Sequence, residues 1–552
     1  MDRREFLLAT GAATGAVLLH LGPQPAEAAG VGRPMKGQRL IFNQDCNDVD
    51  STASAAPQGG RQEFIRDWYR RAFAAGVGVL IADVTTGPVV ETKDTPTGEV
   101  IGARFPAEVR KGILWQQTIE ELFAEGTDVL HLACEEGRKA GAIILGGARM
   151  SDAHHGAHWQ AESDNPLFPQ IVMAHPQWCN TWQDGSVDAT LNYAVPEVQA
   201  HYLQILREMA TNYDIDGLEL NWMRFGRHFP AGHQREYLDV LTRFVHQVHT
   251  MLRDVARQKG RDRLILGHRV APTVEECLNI GCDVGTWAKR GYADFLAPME
   301  FFHHDLDVRP EEFVRAVEGT GCLVYPGFGQ PKYSYSARYP LSMRSLDEFR
   351  ALARNIYAWG GTGASCFNMY LWKPEEQEFR ARAIAILSDP RRALSGPRHY
   401  IYLPLGGGVG PTGTSHEQTL TFGADSVGRR QVFAFRMADG KDGQRLQGVL
   451  RFRLYDASPQ DEFAIDLNGE AIARDKFTIE HHPQGETSEE PGGPVTLPGA
   501  SFTWPANLRF EVALEDCPAF RGDNELGITL AKRSGADEKD PVMEALEVRV
   551  SQ

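Results

Sequence analysis

Between residues 39 and 387 the chain alternates strand-like and helix-like segments eight times, and no other feature restricts its fold as tightly. A strand, a helix and a second strand of the same sheet require a right-handed parallel crossover, so eight such units in succession predict a closed (β/α)8 barrel, an α/β fold of the TIM type. The strand segments are R-L-I-F-N-Q-D-C-N-D from 39, V-G-V-L-I-A-D-V from 77, A-I-I-L-G-G-A-R-M from 142, D-I-D-G-L-E-L-N-W-M-R-F from 214, L-I-L-G-H-R-V from 264, A-D-F-L-A-P-M-E-F-F from 293, C-L-V-Y-P-G-F-G from 322 and G-A-S-C-F-N-M-Y-L-W from 363. Helical spacing falls between them at 61–73, 127–139, 234–258, 283–289, 311–317 and 345–359, with a last helix near 375–387. A further helix begins at Pro196, which suits a first turn, and sets Val198, Tyr202, Ile205 and Met209 on one face. An open doubly wound sheet is the alternative. It needs a glycine-rich phosphate turn after the first strand, where this chain has Asn43, Gln44, Asp45, Cys46, Asn47 and Asp48.

The fourth strand segment carries the clearest chemistry. Leu218, Leu220 and Trp222 alternate with Glu219, Asn221 and Met223, so a period of two gives the strand one apolar face and one face with a carboxylate and an amide. A carboxylate inside a barrel is costly unless hydrogen-bonded or near water, which places Glu219 toward the C-terminal mouth. A structural acid paired with Arg224 is the competing reading. Connections following strands two, three and seven are long, roughly 85–113, 151–192 and 327–344, and in a barrel they wall a cleft at that mouth.

Other candidates gather at strand ends. Asn43, Asp45 and Asn47 share a face, with Asp48 and Asp50 beyond; Arg149, Ser151 and Asp152 end the third strand, followed by His154, His155 and His158. Neither group has the spacing of a calcium loop or a barrel zinc site, so no metal and no cofactor is expected. Glu300 ends the sixth strand, opposite Glu219 across a closed barrel. Two carboxyls facing one cavity supply what glycoside hydrolysis requires, a proton donor and an ionised nucleophile or base, whose separation of about 5 Å or about 6.5–9.5 Å distinguishes retention from inversion. Asn368, Tyr370 and Trp372 on the eighth strand, Tyr193, and the loop aromatics Trp159, Trp178, Trp182, Tyr333 and Tyr335 offer hydrogen bonds and flat faces for sugar rings.

From His399 onward short alternating runs replace the helices, and Leu467-Asn468-Gly469-Glu470 reads as a hairpin turn, so residues 398–552 are expected to form an antiparallel β-sandwich beside a barrel domain at 31–392. Residues 1–30 read as a twin-arginine export signal: Arg3 and Arg4, an apolar run to Leu21, and Ala26-Glu27-Ala28 as a cleavage site. A periplasmic or extracellular protein follows, without stable membrane insertion after cleavage. Asp and Glu number 73 against 57 Lys and Arg, a net charge of −16, which repels nucleic-acid phosphates and favours a neutral partner such as carbohydrate. Eight scattered cysteines form no C-x-x-C pair, and Cys322 and Cys366 read as core residues.

Taken in order, N-Q-D-C-N-D, R-M-S-D-A-H-H, A-H-P-Q-W, N-Y-A-V-P-E-V, Y-D-I-D-G-L-E-L-N-W-M-R-F, H-R-V-A and G-G-T-G-A-S-C-F-N-M-Y resemble exported bacterial proteins of the glycosyl-hydrolase-like family 10 group, over about residues 38–388. The resemblance implies a (β/α)8 barrel acting on carbohydrate. D-G-L-E-L-N-W-M is also similar to the D-G-x-D-x-D-W-E strand of chitinase-type barrels, but Met223 stands where their catalytic Glu lies, which argues against chitinase chemistry. Asn221 stands where the family-10-like proteins tend to have Asp, so the candidate acids are Glu219 with Glu300 or Asp45. Asn43, Asp48, Arg149, Asp152, His155, Tyr193, Asn221, Arg224, Asn368, Tyr370 and Trp372 are the candidate sugar contacts, and a carbohydrate-binding barrel without turnover is the alternative function, with a metal-dependent hydrolase as a third.

Overall fold

A computed structural model of the chain describes residues 35–46, 48–111, 113–153, 168–299, 306, 309–329, 345–367, 369, 377–402, 418–483, 505–534 and 539–551. Nine strands form one curled parallel sheet: β1 (Leu40–Gln44), β2 (Val79–Asp83), β3 (Ile143–Arg149), β4 (Gly217–Asn221), β5 (Ile265–Val270), β6 (Phe295–Pro298), β7 (Leu323–Val324), β8 (Gly327–Gly329) and β9 (Ala364–Phe367). Their spatial order is β7-β6-β5-β4-β3-β2-β1-β9-β8, so β1 to β6 lie side by side in chain order, without the reversal of a doubly wound sheet. The segment 214–225 supplies the fourth strand, as its place in the sequence predicts. The two edge strands of the sheet, β7 and β8, are separated in the chain only by Tyr325 and Pro326.

Helices α1 (Arg61–Ala74), α2 (Val129–Ala140), α3 (Pro196–Asn212), α4 (Leu238–Gln258), α5 (Val284–Lys289), α6 (Pro310–Ala316) and α7 (Leu346–Ala358) connect the strands, and α8 (Gln377–Leu387) follows β9. Local chemistry sets their ends. Asp128 accepts the His131 N–H at the start of α2, left-handed Gly141 ends it, and Ser345 with Glu348 forms a reciprocal capping box on α7. Val198, Tyr202, Ile205 and Met209 are all buried, on the face of α3 that the periodicity selects.

Alternation along the strands divides two cores. Leu40, Phe42, Leu80, Ile144, Leu218, Leu220, Trp222, Leu266 and Leu296 join the core between sheet and helices. The alternate positions Ile41, Val79, Ile81, Ile143, Leu145, Ile265, Phe295, Ala297 and Tyr325, with Met35, form a separate cluster on the other face. Those residues belong largely to the first halves of their strands. Toward the strand C-termini the same inward face turns polar.

Two of the long connections carry structure of their own. After β2 come short strands at Thr85–Thr86, Val89–Val90 and Glu99–Val100 and a helix at Leu114–Ala124; after β3 come a helix at Gln170–Ala174 and a hairpin of Cys179–Thr181 with Val187–Leu191. The third long connection lies almost wholly outside the described residues, at 330–344.

The C-terminal region is built from two antiparallel sheets. One has seven strands, at 398–402, 420–421, 448–455, 477–482, 507–513, 542–543 and 546–550; the other has four, at 430–436, 462–467, 470–472 and 523–532. Phe463 of the smaller sheet meets Phe510 of the larger at 6.1 Å between ring centres. Asn468 and Gly469 take left-handed φ angles of 57° and 84°, as a two-residue hairpin with matching strand twist requires. This region is tied to α6 and α7: Arg436 pairs with Glu311 at 2.7 Å, and Asn355 accepts the Ala438 N–H at 2.9 Å.

Candidate active site

Glu219 lies in the middle of β4 with its carboxyl on the inward face and no exposed surface. Its register partners on both sides are glycines, Gly147 of β3 and Gly267 of β5. Both are needed for close approach. A Cβ on Gly147 would stand 2.8 Å from the Cα of Asp83, and one on Gly267 would enter the Phe295 ring at 2.0 Å. Phe295 thus covers one flank of the glutamate's row and Asp83 of β2 fills the other.

Asn43 of β1 donates from Nδ2 to Glu219 Oε1 at 2.9 Å. Oε2 is buried without a hydrogen-bond partner among the described residues. Burial pushes the Glu219 carboxyl up to about 8; the charge of Asp83 adds to this, while Arg269 and the Asn43 hydrogen bond oppose it. Arg224, the sequence-based partner for Glu219, instead approaches Asp45, at 3.6 Å. The cation acting on Glu219 is Arg269 of β5, because β5 is next to β4 in the sheet whereas Arg224 follows the strand end.

A second carboxyl group is set in the opposite direction. Asp45, at the end of β1, forms an ion pair with Arg149. Burial works against its charge, but Arg149, Arg224 and Arg269 outweigh burial and hold it below the ordinary aspartate range. Arg149 is the hub: Nε reaches Asp83 at 3.2 Å, Nη1 reaches Asp152 at 3.1 Å and its backbone N–H donates to Thr85 Oγ1 at 2.9 Å. Asp83 shares that guanidinium but lies above the ordinary range, through burial and the repulsion of Asp45. Phe367 of β9 lies beneath two of the cations, 4.0 Å from Arg269 and 5.5 Å from Arg224. Asp45, Asp83 and Asp152 therefore converge on a guanidinium, and among the described residues no three His, Cys, Asp or Glu side chains are grouped as metal ligands.

Of the sequence candidates, Asn43, Asp45, Arg149, Asp152, Glu219, Asn221 and Arg224 are buried together at this polar end. Asn221 uses Oδ1 to accept the Met223 N–H at 3.1 Å, and its Nδ2 has no partner among the described residues. Tyr193 is a correction. It is fully buried on the helix side, stacked on Tyr202 at 5.1 Å with its hydroxyl donated to Met150 O at 2.8 Å, so packing consumes the ring meant for sugar. Glu300, His155, Asn368, Tyr370, Trp372 and the side chain of Asp48 lie outside the described residues, as do His154, His158, Trp159, Tyr333 and Tyr335. Sequence reading missed Asp83, Arg269 and Phe367. The period-two argument applied to 79–83, 265–270 and 364–367 would have placed all three on the inward face.

Turn geometry orders the rim beyond β4. Phe225 and Gly226 take left-handed φ angles of 71° and 59°, reversing the chain so that Arg224 enters the cluster while Arg227 stacks on Trp182 at 4.3 Å. Holding a phenylalanine in that conformation costs about 1–2 kcal/mol. The Ser151 hydroxyl locks the turn, donating to Arg227 O at 3.0 Å and accepting its N–H at 2.9 Å. Outside the sheet, Trp222 Nε1 donates to His268 Nδ1 at 3.1 Å, which leaves Nε2 to donate to Tyr292 O at 3.1 Å. All described cysteines are free thiols, and Cys322 and Cys366 are buried in the core.

No protein-family model matches the chain, and no curated protein is significantly similar to it. Among solved structures it is similar to α-L-fucosidase isoenzyme 2 from Paenibacillus thiaminolyticus, at 10% identity over 66% of this chain and 51% of that one, with a TM-score of 0.40. This chain thus spans about half the length of the fucosidase. It is also similar to a maltogenic α-amylase from Thermotoga neapolitana, at 10% identity over 92% and 99% of the two chains with a TM-score of 0.36, and to an α-amylase from Geobacillus thermoleovorans, at 11% identity over 90% and 99% with a TM-score of 0.36. These neighbours are glycoside hydrolases. Overlaps and identities this low assign neither residue roles nor an activity to this chain.

Proposed function

We propose that the curled sheet closes as a (β/α)8 barrel and that its polar end is the active site of an exported glycoside hydrolase, with Glu219 as proton donor. Closure is supported by the edge strands β7 and β8, which read as one strand interrupted at Tyr325-Pro326, with Val324 O accepting from Thr362 and Pro326 O from Ser365. The observation that carries the chemistry is the opposed setting of two carboxyls in one buried cluster: Glu219 raised to about 8, hence neutral near pH 7, and Asp45 held ionised by guanidiniums. Acid and base roles are assigned where environments drive two titratable groups apart in this way. Asp45 is the ionised partner, or acts behind Glu300, which follows β6 in the sequence. Asn221 and Arg224, together with Asp48, His155, Asn368, Tyr370 and Trp372 from the sequence reading, contact the sugar. Export rests on the Arg3-Arg4 leader, and kinship with the glycosyl-hydrolase-like family 10 group rests on the order of motifs. Among the described residues no helix is long and apolar enough to cross a membrane.

A carbohydrate-binding barrel without turnover is the second reading, favoured by the engagement of Asp45, Asp83 and Asp152 with one arginine, as in a purely structural network. Wild type and Glu219→Gln, assayed by product release from a panel of p-nitrophenyl glycosides and neutral polysaccharides, separate the two. Loss of turnover by about two to four orders of magnitude with the fold intact is expected for a general acid. Unchanged turnover removes Glu219 from catalysis, and sugar-dependent stabilisation without product from any glycan establishes the second reading.

A further inference from the structure

The two oxygens of Glu219 are not equivalent. Oε1 accepts the Asn43 amide N–H at 2.9 Å, while Oε2 is buried with no partner among the described residues. In a neutral carboxylic acid the carbonyl oxygen is the acceptor and the hydroxyl oxygen the donor, and an amide N–H facing Oε1 demands a lone pair there. We propose that Asn43 is a positioning residue for Glu219, reserving Oε1 as an acceptor so that the transferable proton resides on Oε2. The proposal deepens the reading of Glu219 as proton donor and rests on it.

The groups around the carboxyl agree with this assignment. Asp83 from β2 and Phe295 from β6 flank the row of Glu219, Arg269 approaches from β5, and Asp45, Arg149 and Arg224 stand beyond them. None of them is hydrogen-bonded to either oxygen of Glu219, which leaves Asn43 as the donor to the carboxyl among the described residues. In the transfer, the Oε2–H bond breaks as an O–H bond forms on the leaving glycosidic oxygen, which keeps the electron pair of the broken C–O bond. Water supplies the hydroxyl added at the sugar carbon and the proton that returns to the carboxylate. The Asn43 N–H then stabilises the ionised form through Oε1, so Asn43 binds no sugar but governs how readily the acid gives up its proton.

The sign of one shift tests the assignment. Glu219→Gln is made in the wild type and in Asn43→Ala, or in Asn43→Ser where the alanine variant does not fold, and the pH at which Glu219 titrates in each background is read from the difference in unfolding stability between the chain with Glu219 and the chain with glutamine there. Loss of an N–H donor to the carboxylate should move that midpoint upward by about one pH unit, a tenfold gain in proton affinity. A downward shift would mean that the proton lies on Oε1 and that Asn43 accepts it; an unchanged midpoint would mean no coupling, and either overturns the proposal. In pH–rate profiles on a p-nitrophenyl glycoside, the alkaline limb should move up with the midpoint while KM holds; a raised KM with the limb unmoved would make Asn43 a sugar contact. If no glycoside is turned over, the hydrolase reading fails, while the stability titration still decides the place of the proton.

Discussion

Glu219→Gln isolates the titration of one buried carboxyl. Glutamine keeps the shape and can accept the Asn43 N–H through its own carbonyl oxygen, so the variant imitates the protonated acid at every pH. In the wild type, burial pushes the group from 4.5 to about 8. The folded chain therefore retains a proton that the unfolded chain releases above pH 4.5. A raised carboxyl of this kind stabilises the fold fully below pH 4.5, and the stabilisation is lost as pH climbs toward 8. At about 1.4 kcal/mol per pH unit, the window from 4.5 to about 8 amounts to about 5 kcal/mol. The variant has no such loss. Urea unfolding followed by tryptophan fluorescence should show it gaining on the wild type by about 1.4 kcal/mol per pH unit from about pH 5, with the two curves running parallel above about pH 8. Curves parallel throughout would refute the buried, neutral glutamate and with it the case for a proton donor here.

Two further outcomes follow from the same electrostatics. Arg149→Met removes the counter-charge of Asp45, Asp83 and Asp152 and should cost about 3–5 kcal/mol at neutral pH. Because the lowered Asp45 stabilises the fold above its unfolded value of 3.8 and less as pH falls below it, the deficit should shrink in acid; a deficit independent of pH would contradict the ion-pair account. His268 is held down at about 4 by burial, opposed by its hydrogen bond to Tyr292 O, so the unfolded chain takes up a proton below 6.5 that the folded chain refuses. Stability should fall by about 3 kcal/mol from pH 6.5 to 4 on this account, and His268→Gln should flatten that acid slope in the same urea titrations.

Much of the scaffold was legible because its signals are local. Alternation of strand and helix patterns, the Pro196 start of α3, the helix pattern at 345–359 and the Asn468-Gly469 turn each depend on a few neighbouring residues, and the structure places each where the pattern does. The edges of that legibility were local as well. The connection after β2 reads from sequence only as long, since strands of two residues such as Thr85–Thr86 are too short to show a period.

The site divides along another line. Sequence by itself determined which face of each strand turns inward, because side chains alternate by covalent geometry, and so it could place Asn43, Asp45, Glu219 and Asn221 on the inward face. It could not determine which charge meets which. Asp83, Arg149 and Arg269 come from strands separated by helices and long connections, and their pairing depends on register between neighbours and on Gly147 and Gly267 allowing Asp83 and Phe295 to close in. Tyr193 shows the same limit, since only packing decides whether an aromatic ring faces a cleft or a core. The tertiary structure alone decided that Glu219 sits on an Asn43 amide, beyond reach of Arg224, and that burial outweighs its cation. Desolvation and charge coupling act through space, and chain order carries no record of distance in space.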